Sequence, residues 1–160
     1  MESPHEAGVP LAANKALVQR YFREVLDMKR IDLMPELMHA DVVLHRPGFD
    51  VVGLEAAMAR LRATLLDFVA FSSDVSGIVA EGDMVCVRIR HTTRVKPHTF
   101  RSRAGELPIA DEQALAWDAI VQFRIRDGLI AEEWVNRDEL GMLLQLGTVA
   151  LNRAGRPPSL

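Results

Sequence analysis

Trp134, Asn136 and Asp138 alternate along the segment WVNRD. In an extended chain alternate side chains share a face. An indole, a carboxamide and a carboxyl therefore fall in line, and the same alternation puts Ile130 with them. A carboxyl beside an apolar ring and a neutral donor suits acid/base chemistry inside a pocket. The same Asp138, directly ahead of Glu139-Leu140-Gly141, equally fits a helix N-cap that satisfies free backbone N–H groups. An exposed aspartate titrates near about 3.9, too low for a good base toward a carbon acid. Burial among apolar groups raises that value, because the charged form loses solvation. His45 ends a strand-like run on the face of Val43, and His91 ends the face of Val85, Val87 and Ile89. Each reads as a packed or rim histidine, or as a donor to a substrate oxygen if both point into one cavity. Asp118 is the rival carboxylate. It lies opposite the apolar face of Trp117, Ala119, Val121, Phe123 and Ile125, so exposure or a subunit contact is expected for it. Trp134, Trp117, Tyr21 and Phe22 are the candidate ring-binding side chains, and each also fits a plain core. No histidine pair has metal-ligand spacing, and Cys86 stands alone, so neither a metal nor another cofactor is expected.

The elements that must hold these residues follow from periodicity. Leu17, Val18, Tyr21, Phe22, Val25 and Leu26 predict an amphipathic helix over residues 12–28. A short second helix contains Leu33, Met34, Leu37 and Met38, with Pro35 confined to its first turn. Residues 41–45 form a strand ended by Arg46-Pro47-Gly48. A third helix covers residues 53–66, with Leu54, Met58, Leu61 and Leu65 on its buried stripe. The period then changes from 3.6 to 2. Strands are expected over 75–80 and 84–94, joined by Glu81-Gly82-Asp83. An irregular stretch follows over 95–110, broken by Pro97, Gly105 and Pro108. Two further strands flank Asp127-Gly128, a strong hairpin signal between alternating apolar residues. A last helical piece spans 139–147. Helices followed by a run of antiparallel strands give an α+β order.

At 160 residues, with 49% apolar and 26% charged side chains, the chain is expected to be one globular domain over residues 12–150, between tails at 1–11 and 151–160. No apolar run approaches the ~20 residues of a spanning helix. The opening MESPHEAGVP lacks the basic start and apolar core of a signal peptide. With a single cysteine, these features predict a cytoplasmic protein with no membrane partner. The net charge of −3 argues against nucleic acid as a partner. There is no G-x-G-x-x-G, P-loop or G-x-S-x-G pattern.

Several segments together resemble the SnoaL-like polyketide cyclase (ester cyclase) family of the nuclear-transport-factor-2-like superfamily. They are Asn14-Lys15-Ala16-Leu17-Val18 with Tyr21-Phe22; Asp41-Val42-Val43-Leu44-His45 with Pro47-Gly48; and Gly53-Leu54-Glu55. Val79-Ala80-Glu81-Gly82-Asp83 follows, then Phe123-Arg124-Ile125, Asp127-Gly128 and Ile130-Ala131-Glu132-Glu133-Trp134. Asp138-Glu139-Leu140-Gly141 and Gln145-Leu146-Gly147 close the match, which covers roughly residues 14–147. The resemblance implies a curved antiparallel sheet wrapped as a cone around three N-terminal helices, with an internal pocket. It implies a cofactor-independent intramolecular aldol-type ring closure, or related acid/base chemistry, on an apolar or aromatic carbonyl-bearing ligand. By the same resemblance Asp138 is the acid/base, with Asn136, His45 or His91 polarising the substrate oxygen. The alternatives are a non-catalytic ligand-binding or dimerisation module, or a lyase, isomerase or epoxide hydrolase on the same fold. A homodimer is expected through the strand faces carrying Arg88, Arg90, Gln122 and Arg124. The chain departs from the family pattern in VKPHTFRSRAGELPIADEQ, a basic loop. There Lys96, Arg101 and Arg103 are read either as solvated charges or as a rim that attracts anions.

Overall fold

A computed structural model describes residues 11–102 and 105–149, the side chains of 100–102 and 107 excepted. The expected tails fall outside this range, apart from Leu11, where the first helix already begins. The apolar spacing that begins at Leu17 yields one helical segment in two forms. α1 (Leu11–Arg20) runs directly into wide, π-type turns over Tyr21–Asp27. Such turns are rare and recur at functional sites. Here they bury Tyr21, Phe22, Val25 and Leu26 together.

α2 (Met34–Leu37) keeps Pro35 in its first turn, where a missing N–H costs nothing. β1 (Met38–Arg46) turns at Pro47-Gly48 into a short strand, β2 (Phe49–Val52), which the sequence did not suggest. α3 (Leu54–Leu66) buries Ala57, Met58 and Leu65. β3 (Phe68–Glu81) is longer than expected, and β4 (Met84–Val95) follows closely the predicted strand. The stretch read as irregular instead contains a hairpin, β5 (His98–Ser102) with β6 (Gly105–Ile109), as a separate two-stranded sheet. β7 (Gln113–Arg126), β8 (Leu129–Arg137) and α4 (Glu139–Gln145) complete the order.

The large sheet runs β2-β1-β8-β7-β4-β3. It is mixed rather than wholly antiparallel, because β1 pairs parallel to β8. Only neighbours joined by a short turn are obliged to be antiparallel, and β1 and β8 are separated by most of the chain. The result is an α+β fold with a curved sheet. Its inner face, under α1, the π-type turns and α3, carries the core: Val85, Val87, Ile89, Val121 and Phe123 are all at most 2% exposed. No described helix is long and apolar enough to cross a membrane.

One local feature decides what faces the interior. Asp127 and Gly128 take φ of 52° and 77°, as a tight hairpin turn between twisted strands requires. Beyond the turn Ile125 pairs with Ile130, but the next pair is Arg124 with Glu132. Ala131 is an extra residue, a β-bulge, and both Ile130 and Ala131 are buried. The alternation restarts one residue out of phase. Glu133, Val135 and Arg137 turn inward, while Glu132, Trp134 and Asn136 turn outward. The expectation that Ile130, Trp134, Asn136 and Asp138 share a face fails at this bulge.

Candidate active site

Between the inner face of the sheet, the π-type turns and α3 lies a cavity of about 170 Å³. One part of its wall is aromatic. Phe71 and Trp117 stand 5.0 and 5.2 Å from the ring of His91, Phe22 lies 6.2 Å from it, and Phe68 stacks on Phe71 at 5.5 Å. Aromatic side chains bring large apolar area at fixed geometry, so this part suits a ring system. His91 is 6% exposed, and its Nδ1 meets Ser73 Oγ at 3.1 Å. Burial pushes its pKa down to about 4, because an imidazolium here would lose its hydration. At neutral pH it is an uncharged imidazole in the cavity wall. Ser73 also faces Asp27, whose carboxyl is pushed up by burial and drawn back in part by the Ser73 hydroxyl and N–H.

The other part is polar. Glu133, 3% exposed, accepts a hydrogen bond from Arg46 Nη2 at 3.0 Å. β1 and β8 run in parallel with Leu44 beside Glu133, which brings the next inward residue of β1, Arg46, past the carboxylate. Burial draws the Arg46 guanidinium down, but the charge and hydrogen bond of Glu133 together with Tyr21 outweigh it and the net shift is upward. The fully buried Tyr21 phenol is pushed up strongly, first by burial and then by the charge of Glu133, and stays protonated. Tyr21 is therefore a neutral donor beside a buried carboxylate. Arg137 and Arg60 complete the polar lining. Burial draws Arg137 down, the charge of Glu139 draws it part of the way back, and the charges of Arg46 and Arg60 lower it further.

The expected site residues divide between two places. Tyr21, Phe22, Trp117 and His91 line the cavity. His45, Trp134 and Asn136 turn outward into a groove between the end of β1, β8 and α4, which Arg46, Val135 and Arg137 reach as well. There His45 stacks on Trp134 with ring centroids 5.1 Å apart, and its Nδ1 donates to Asp50 Oδ1 at 2.9 Å. Arg124 covers the indole at 5.7 Å. Asp138 lines neither space. It is the N-cap of α4, its Oδ1 accepting from the Gly141 N–H at 2.9 Å. Asp118 is exposed and paired with Arg90 at 3.1 Å. Lys96 is exposed and caps the end of α3 through the Leu66 carbonyl at 3.0 Å. The Arg101 side chain and Arg103 lie outside the described residues. Among the described residues no cluster of three or more His, Cys, Asp or Glu is arranged to hold a metal ion.

Sequence reading missed Glu133, Arg46 and Arg137. The available signal was Val135, the apolar residue that shares alternation with Glu133 and Arg137; following it instead of Ile130 selects the inward set.

The family model for the SnoaL-like domain matches residues 18–133. The chain belongs to the SnoaL-like domain family. No curated protein matches it. Among solved structures, this SnoaL-like domain resembles a candidate SnoaL-like polyketide cyclase from Jannaschia sp. CCS1, at 20% identity and a TM-score of 0.75, over 94% of this chain and 100% of the other. AclR, a candidate hydroxylase from Streptomyces galilaeus, matches at 21% identity and a TM-score of 0.73, over 88% and 99%. An LEH-like epoxide hydrolase from M. tuberculosis matches at 17% identity and a TM-score of 0.68, over 86% and 92%. At these identities the likeness is one of fold. The cone-like SnoaL architecture is common to proteins whose names span cyclisation, hydroxylation and epoxide opening.

Proposed function

We propose that this protein is an enzyme of acid/base chemistry, acting without a cofactor on an apolar, carbonyl-bearing substrate held in the cavity. The observation that supports it is Glu133: a carboxylate 3% exposed, facing an otherwise largely apolar and aromatic space. Glu133 removes a proton from the carbon beside the substrate carbonyl. Arg46 fixes the carboxylate through a charge-assisted hydrogen bond. The Tyr21 phenol, kept protonated by its surroundings, donates to the enolate oxygen, and a donor already in place there lowers the barrier. The enolate carbon then bonds to a second carbonyl carbon of the same molecule, and Glu133 returns its proton to the oxygen so formed. Ring closure of this kind leaves atoms and charges balanced with no co-reactant. His91 serves as a neutral donor at the aromatic end. The outer face of the sheet, with Ile120 and Val79 exposed among Arg88, Arg90 and Arg124, is the face proposed to pair with a second copy.

The test separates this reading from a binding module. Dissolved in heavy water with 2-tetralone, the protein should catalyse deuterium entry at the carbon beside the carbonyl, whether or not the probe can cyclise. Glu133→Gln should slow that entry by at least about 100-fold, the lower scale of general acid/base catalysis. A protein that binds such ketones without exchanging their protons is a ligand carrier, and the enzymatic reading then falls.

A further inference from the structure

The cavity lining carries three guanidinium groups, Arg46, Arg60 and Arg137, against a single carboxylate, Glu133. This runs against the chain as a whole, whose net charge is −3. Arg46 is committed to Glu133 at 3.0 Å. Arg137 is less well matched: its Nη2 stands 3.6 Å from Glu139 Oε2, beyond a good hydrogen bond. Its Nε is buried with no hydrogen-bond partner, and a buried donor left unmade costs stability. Arg60 stands at the mouth, where its guanidinium lies 5.2 Å over the Phe49 ring. Arg60 itself is exposed, and its charge, with that of Arg46, bears on Arg137.

We infer that the Arg137–Arg60 end of the cavity is an anion subsite, and that the substrate is a carboxylic acid with an apolar ring body. The inference rests on the proposed acid/base role of Glu133 only for the word substrate; as a binding site it stands separately. A carboxylate is the anion that fits best. It is planar and takes two parallel N–H bonds from a guanidinium fork, and it would supply the missing acceptor for Arg137 Nε. Glu133 and Arg137 are inward residues of the same strand, four positions apart, so their Cα atoms lie about 13 Å from each other. A ring acid spans that interval once the side chains have taken their share, with its carboxylate at Arg137 and its carbonyl toward Glu133 and Tyr21. Val135, between Glu133 and Arg137 on β8, Val121 beside it on β7, and Phe22, which reaches Phe123 as well as His91, flank the ring along that interval.

The probes are 2-naphthoate and its neutral amide, 2-naphthamide, with benzoate and benzamide as a smaller pair. Their binding is read by calorimetry at low and high salt. The acid of at least one pair should bind at least tenfold tighter than its amide, and high salt should narrow the gap. Arg137→Gln, or Arg60→Gln in a second variant, should cut the preference to about threefold or less while the amide binds as before. Unchanged amide binding shows that the variant is folded. Glu133→Gln should leave the preference intact or raise it, even where deuterium exchange is lost, so failure of the catalytic reading and failure of the subsite are told apart. Equal affinities for acid and amide in both pairs overturn the inference. So does a preference that survives both arginine variants, or no detectable binding of any probe at millimolar concentration.

Discussion

The two faces of β8 hold nearly the same kinds of residue and do different things. Inward stand Glu133, Val135 and Arg137; outward stand Glu132, Trp134 and Asn136. Glu132, about one-third exposed, is 3.5 Å from both His45 Nε2 and Arg124 Nε, in a layer of surface charges. Glu133, one residue on, is buried against Arg46 beside a phenol. The same carboxylate is a solvated partner on one side and a candidate acid/base on the other. Surface ion pairs of the first kind contribute about 0–1 kcal/mol. The second kind is out of water and held in place by Arg46. The bulge that lets Ile130 and Glu133, three positions apart, both face inward is made at Ala131, which has no functional group at all.

Removing one carboxylate at a time is the sharpest way to break the comparison. Glu133→Ala strands Arg46, which is only 20% exposed, and stranding a largely enclosed charge costs about 3–5 kcal/mol, a large part of the stability of a small domain. Glu132→Ala removes a surface partner and should cost at most about 1 kcal/mol. We expect a large drop in melting temperature for the first and almost none for the second, and equal drops would show that the two carboxylates are equivalently placed. Deleting Ala131, by contrast, leaves Glu133 two positions after Ile130 and paired with Phe123 as before, so the inward set should survive the deletion.

The next largest effect belongs to the inner carboxylate. Glu133→Gln should slow deuterium exchange by at least about 100-fold, whereas Trp134→Ala and Asn136→Ala, on the outer face, should change it less than about threefold, as expected of side chains outside the cavity. Equal losses on both faces would erase the distinction between them.

This distinction marks where the sequence stops being legible. Asp127-Gly128 announced its turn, and the helix over 54–66 followed from the spacing of its leucines. Tyr21 and Phe22 reached the cavity wall because the π-type turns still bury both of them, and His91 and Trp117 because β4 and β7 keep one period through those positions. β8 does not. A bulge carries no side-chain signature, and Ile130-Ala131-Glu132-Glu133 is compatible with either phase. The hairpin over 98–109 was hidden for another reason: Pro97, Gly105 and Pro108 read as breakers, yet they bound or occupy short strands of a separate sheet, where a proline's missing N–H is tolerated.

His91 sharpens the comparison from the aromatic end of the cavity. Its pKa is held down to about 4 by burial, against about 6.5 in an unfolded chain. Between those values the unfolded state binds more protons, so stability must fall as pH drops from about 6.5 to about 4 and level off below. The loss reaches up to about 3 kcal/mol. Asp27, across Ser73, is shifted upward and works in the opposite sense, so the clean measurement is a difference. Between pH 7 and pH 4 the melting temperature of the wild type should fall relative to that of His91→Gln. Parallel curves would mean that the imidazole is not desolvated.

The smallest effect concerns Asp138, and there two roles make opposite claims on one carboxyl. As the N-cap of α4 it contributes about 1 kcal/mol, lost in Asp138→Ala and kept in Asp138→Asn, because an amide oxygen accepts the same N–H bond. As an acid/base it would lose its function in both variants. The local packing favours the cap. A Cβ added at Gly141 would fall 2.1 Å from Asp138 Oδ2, so the Asp-x-x-Gly pattern holds the carboxyl tight over the first turn of the helix. Gly141→Ala should therefore lower the melting temperature by displacing that carboxyl. With the cap as its main role, Asp138→Asn should exchange deuterium into a ketone at a rate within about threefold of the wild type and melt within a degree or two of it, since its cap survives. If instead exchange falls about 100-fold while the melting temperature holds, the reacting group sits at the end of β8 rather than on its inner face, and Glu133 is reduced to the partner of Arg46.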